Sequence, residues 1–157
     1  DTNLVSGVTY SYRVKYKDVS GREGAWSDSA AATTGSGPIT ETPPQAVITN
    51  AVNQVDAAHY WHHVITASIE AGEGTLYARF YCVDESGHSS PWVPVEGSGT
   101  VQVDEWGTIT WGSEGLTYNK VINHGYFGFR RTWIVETSWY PDGSGTVTQS
   151  LPITINP

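Results

Sequence analysis

Residues 10–17 read Tyr-Ser-Tyr-Arg-Val-Lys-Tyr-Lys, an alternation of large apolar and polar side chains with a period of two. Successive side chains of an extended strand project to opposite faces, so Tyr10, Tyr12, Val14 and Tyr16 can share one buried face only as a β-strand. A helix would scatter the same residues around its circumference. Asp18-Val19-Ser20-Gly21 ends the alternation with turn formers. Glycine tolerates positive φ, and short Asp or Ser side chains bond the turn backbone. Residues 25–34, small and polar, are expected to return as a second strand. Arg13, Lys15 and Lys17 would form the opposite, solvated face.

Similar grammar runs through the rest of the chain. Seventeen glycines with only 15% charged residues suit short strands joined by many turns rather than helices. Strands are expected at 46–50, 63–70, 76–83, 91–95, 100–103 and 108–111. A long strand should follow with Phe127, Phe129, Arg131, Trp133 and Val135 on one face, and a last one through Val147, Leu151, Ile153 and Ile155. Residues 112–125 read as loop, residues 54–63 as one turn of helix at most, and Pro152 fits an edge or bulge. Spacing of roughly eight to twelve residues between strands describes an immunoglobulin-like antiparallel β-sandwich.

The first segment resembles the closing strands of a fibronectin type III domain. In that family a Leu-x-x-Gly-x-x-Tyr corner enters a Tyr-x-Tyr-Arg-Val strand, followed by an Asp/Gly turn, Trp-Ser and a closing Thr-Thr. Leu4, Gly7, Tyr10, Tyr12, Arg13, Val14, Gly21, Trp26, Ser27, Thr33 and Thr34 stand at those positions, with Ser6 where a proline is usual. The resemblance implies a tyrosine corner in which the Tyr10 hydroxyl bonds nearby backbone. It also implies that the earlier strands of that sandwich come from a longer polypeptide or from a neighbouring chain. The expected organisation is therefore all-β. Residues 1–34 form the C-terminal part of a fibronectin type III-like domain, 35–44 a linker, and 45–157 an immunoglobulin-like sandwich. Such pairs occur in multimodular secreted proteins and phage tail proteins, which points to an extracellular or virion setting.

An internal echo accompanies this pattern. Arg13-Val14, Asp18, Ser20-Gly21 and Trp26 recur 66 residues later as Arg79-Phe80, Asp84, Ser86-Gly87 and Trp92. Two hairpins obeying one turn chemistry account for it, as would duplication of a module.

Net charge is −8, and it is concentrated beyond the first segment. Residues 1–34 hold four acids and four bases, leaving twelve acids against four bases in the remainder. Such a surface repels phosphate backbones and anionic lipid, which argues against nucleic acid and membrane surfaces as partners. No apolar run is long enough to span a bilayer. Cys82 is the only cysteine, so an internal disulfide is impossible, and its phase with Leu76, Ala78 and Phe80 marks a buried thiol.

Candidate chemistry is sparse. His59, His62 and His63 lie within five residues, but on an extended strand His62 and His63 face apart and His59 stands too far from His63 to share an ion. Asp84-Glu85 and Asp104-Glu105 are adjacent acids, whereas glycosidase chemistry needs two carboxylates held at a fixed distance. No cofactor is implied and no enzyme is expected. Trp26, Trp92 and Trp133 are placed to pack, while Trp61, Trp106, Trp111, Trp139 and Tyr140 fall at strand ends or turns. Aromatics there can cap the open ends of a sandwich. Trp106, Trp111, Trp139 and Tyr140 are the candidate ligand-binding residues for a glycan or protein receptor. The function expected is a non-catalytic structural and adhesion module. The alternatives are a carbohydrate-binding module and a self-assembling subunit whose first strands complete a neighbour, a homo-oligomer.

Overall fold

The computed structural model describes residues 9–33, 42–70, 72 and 74–157. The chain divides into two compact units, Asp1–Thr40 and Glu41–Pro157. Among the described residues every strand pairing is antiparallel.

In the first unit β1 (Thr9–Tyr12) pairs with β2 (Ala30–Thr33), Thr9 opposite Thr33 and Tyr12 opposite Ala30. The expected turn is present. Asp18 Oδ1 accepts the N–H groups of Ser20 and Arg22, each at 2.9 Å, and Gly21 adopts a φ of +86°. Burial differs from expectation. Among the described residues Tyr12, Val14 and Tyr16 are exposed, the last two at 71% and 72% and beyond the end of β1, which stops at Tyr12. The basic side is more than a solvated face: the Arg13 guanidinium and Lys15 ammonium lie 5.5 and 4.6 Å from the ring centroid of Trp26, which remains half exposed. Leu4, Gly7, Thr34 and residues 35–41 of the expected linker lie outside the described residues.

The second unit is an all-β sandwich. One sheet runs β3-β4-β9-β8-β7, formed by Val47–Val55, Tyr60–Ser68, Gly115–His124, Gly107–Gly112 and Gly99–Asp104. The other runs β11-β10-β5-β6, formed by Val147–Gln149, Arg131–Ser138, Tyr77–Cys82 and Val93–Pro94. The remaining strand, β12 (Ile153–Ile155), also pairs with β10. Between the sheets lie Ile65, Ile109 and Leu116 from one side and Ala78, Phe80, Cys82 and Val135 from the other. Tyr118 joins them, its ring 5.4 Å from Phe80 and 6.0 Å from Trp133. Cys82 is a free thiol inside this core, and burial pushes its pKa up. Pro43 is buried and the Pro44 carbonyl accepts the Thr137 hydroxyl at 2.7 Å, so the end of the expected linker packs with this unit.

Residues 112–125 are the main correction. Instead of a loop they hold β9, ten residues at the centre of the larger sheet. Leu116, Tyr118 and Lys120 point inward, so a charge sits where the alternation would demand an apolar residue. Lys120 is only 4% exposed, and its ammonium donates to Asp104 Oδ2 at 2.7 Å. The pairing partner that makes this lysine tolerable is sixteen residues away, and local sequence does not show it.

Other boundaries also moved. β3 and β4 extend across residues 54–63 as a hairpin, with Asp56 Oδ1 accepting the N–H groups of Ala58 and Tyr60, and His59 at a φ of +64°. Phe127 and Phe129 precede β10 and are exposed, whereas Trp133 and Val135 are buried within it. The final strand is broken in two. Ser150 exchanges bonds with Val135, Pro152 can donate no N–H to a ladder, and pairing with β10 resumes at Ile153. The internal echo has a structural counterpart: Arg79 lies 5.0 Å from the Trp92 ring centroid, as Arg13 lies over Trp26.

Candidate functional site

The larger sheet turns its odd-numbered β4 and β8 positions into the core, so the even-numbered ones make its outer face. At one end of this sheet the β7–β8 turn carries Trp106. Asp104 Oδ1 accepts the Trp106 N–H at 2.8 Å, and the Trp106 carbonyl accepts the Val121 N–H at 2.8 Å. These two bonds fasten the turn backbone beside β9 while the indole stays 46% exposed.

Trp106 borders two depressions. On one side is a groove of about 190 Å³ lined by His62, Gln102, Glu105, Thr108, Asn119 and Val121. His62 is held on both ring nitrogens, Nδ1 standing 2.9 Å from Asn119 Oδ1 and Nε2 3.3 Å from Asp56 Oδ2. The Tyr60 N–H, with that of Ala58, keeps the Asp56 carboxyl below the usual carboxylate range, and the His62 ring adds to this. Gln102 Nε2 donates to the Gly107 carbonyl at 3.2 Å. The groove therefore presents amide and imidazole groups held by their neighbours, together with the Thr108 hydroxyl and the Glu105 carboxylate, beside an aromatic ring.

On the other side is a cleft of about 350 Å³ at the open end of the sandwich. Its walls include Tyr60, Trp106 and His124, with Tyr60 5.9 Å from the Trp106 ring and 4.5 Å from His124. Lys120 and His88 also line it. Partial burial alone would raise the Asp104 carboxyl, but hydrogen bonds from Lys120 and the Trp106 N–H outweigh it and hold the pKa low. Burial pushes the His88 imidazole down, and its backbone carbonyl accepts the Tyr118 hydroxyl at 3.0 Å. The Lys120–Asp104 pair is thus neutral overall, so this cleft offers ring surface rather than net charge.

The four aromatic candidates do not share one surface. Trp106 precedes β8 and Trp111 lies near its far end, so the strand separates them. The Trp111 indole donates to the Pro94 carbonyl at 3.1 Å, Pro94 pairs with Tyr77, and Tyr77 pairs with Ser138, the residue before Trp139. Trp111, Trp139 and Tyr140 therefore gather at the end opposite Trp106. Trp139 is buried, 8% exposed, with its ring against Gly72 and Gly74. These residues close one end of the sandwich, while Trp106 alone of the four stands beside both a polar groove and an aromatic cleft.

The three histidines also diverge. His62 faces outward, His63 is fully buried beneath the same strand, and His59 lies in the turn with its ring 5.8 Å from Tyr126. Among the described residues no group of three His, Cys, Asp or Glu converges on a metal position. The paired acids also separate in role. Asp104 serves Lys120 while Glu105 lines the groove, and Asp84 accepts the Thr132 N–H while Glu85 meets Arg131 at 2.8 Å.

Sequence reasoning found Trp106 and His62 but missed Asn119, Lys120 and Val121, which all belong to β9. The alternation Leu116, Tyr118, Ile122 was the available signal, interrupted only by Lys120. No protein-family model, curated protein or solved structure matches this chain.

Proposed function

We propose that this chain is a non-catalytic structural and interaction module of a larger extracellular or virion protein. In this reading it joins fibronectin type III-like strands to an immunoglobulin-like sandwich, as phage tail and secreted modular proteins do. Its Glu41–Pro157 unit contacts the receptor at the Trp106 end, and the receptor there is a glycan. The observation that carries this reading is a half-exposed indole beside a groove of hydrogen-bonding side chains held by their neighbours. A sugar ring offers C–H groups to an aromatic face and hydroxyls to amide and imidazole partners, so such a setting suits it. Binding of the intact chain to a glycan array, with Trp106→Ala as control, tests the reading. Loss of the signal on substitution supports it; a blank array with the native chain rejects it.

A second reading, self-assembly through the first unit, is favoured by the exposed Tyr12, Val14 and Tyr16 beside a short strand pair. Light scattering across a concentration series tests it, since a constant monomer mass removes this reading.

A further inference from the structure

The outer face of the larger sheet is ordered into rows across the strands. One row runs Asn50, Thr66, Thr117, Thr110, Thr100, each directly opposite the next. Its hydroxyls are paired, Thr66 with Thr117 and Thr100 with Thr110, both at 2.9 Å. The adjacent row runs Val64, Asn119, Thr108, Gln102, and its last three members line the groove beside Trp106. Neither row contains an Asp, Glu, Lys or Arg, although the chain carries sixteen acids and eight bases. Ionisable side chains enter at the Trp106 end, as His62 with Asp56 and as Glu105. The outer face of the smaller sheet is different: there Arg79 pairs with Glu136 and packs on Tyr81 and Trp92.

We infer that the groove and the threonine row alongside it form one surface, and that its ligand is a neutral, extended polysaccharide lying across the strands along these two rows. This rests on the reading of Trp106 as a glycan site. Hydroxyls both donate and accept, so paired threonines can pass hydrogen bonds to sugar hydroxyls without a charge to neutralise. Adjacent strands stand about 4.8 Å apart, close to the advance of one pyranose along an extended chain, so neighbouring units meet equivalent partners. Thr66 is itself buried, 7% exposed, so the accessible hydroxyls lie on β9, β8 and β7, three strands that span about 10 Å, enough for roughly two units. An acidic polysaccharide would meet no cation on this face and an overall charge of −8.

Calorimetric titration of the whole chain with cellohexaose, mannohexaose and hexagalacturonate, together with the disaccharides, tests the inference. One neutral hexasaccharide should bind at least tenfold more tightly than its disaccharide, and hexagalacturonate more weakly than either neutral hexamer. Thr100→Val with Thr110→Val keeps β-branched side chains but removes two hydroxyls beyond the groove. This double variant should weaken the hexasaccharide about fivefold and leave the disaccharide unchanged. Thr110→Ser, which retains a hydroxyl, should bind like the native chain, and this holds the test if the valine variant folds poorly. Hexagalacturonate binding best, or hexasaccharide affinity unmoved by the valine pair, overturns the inference while leaving the groove intact. If no sugar binds, or Trp106→Ala binds as well as the native chain, the glycan reading itself fails and this inference falls with it.

Discussion

His63 lies fully buried between the sheets, and its two ring nitrogens are assigned by their neighbours. The Trp133 indole N–H donates to Nδ1 at 2.9 Å, so Nδ1 carries no proton, and the Nε2–H donates to the Phe129 carbonyl at 3.2 Å. Protonation would set an N–H against an N–H, in addition to burying a charge. Burial is the main cause that lowers the imidazole pKa from 6.5 to about 4, only partly offset by the Phe129 carbonyl. Because the folded pKa is below the unfolded one, the unfolded chain binds more protons between these values, and stability falls as pH drops from 6.5 to 4. At pH 5 the loss is about 2 kcal/mol, approaching about 3 kcal/mol below pH 4. His63→Gln can accept from Trp133 and donate to Phe129 without titrating. Urea unfolding of both proteins at pH 7.5, 6 and 5 therefore isolates the effect, since His88 and the carboxylates are common to both. The native chain should lose about 2 kcal/mol more than the variant by pH 5. Parallel pH profiles for the two proteins would refute the reasoning.

The remaining predictions concern the core and the site. Asp104→Ala strands the Lys120 ammonium in a buried position and should cost about 3 kcal/mol, whereas adding Lys120→Met to it should recover much of the loss in thermal melts. Gly115→Ala should destabilise by more than about 2 kcal/mol. Gly115 adopts a φ of +111°, and a Cβ there would sit 2.0 Å from the Ala67 carbonyl oxygen, so a variant melting like the native chain rejects this geometry. The Cys82 thiol should resist a disulfide reagent in the folded protein and react on unfolding, as its complete burial requires. Trp106→Ala should change the melting temperature little, because the indole is half exposed, while reducing glycan binding roughly tenfold or more.

Period-two alternation, turn chemistry at Asp18–Gly21 and the phase of Cys82 were legible from sequence because each depends on residues near in the chain. They determined the all-β class, the opening hairpin and much of the core. Local pattern also placed Trp106 in a turn and set His62 and His63 on opposite faces. It could not reveal β9, whose inward lysine is acceptable only because Asp104 returns to meet it from another strand. Nor could it show that Trp106 stands alone at its end while Trp111, Trp139 and Tyr140 gather at the other, since strand order and register decide which turns become neighbours. The threonine row belongs to the same class of facts. Its members are spread over residues 66–117, and only antiparallel register at one strand spacing brings them side by side.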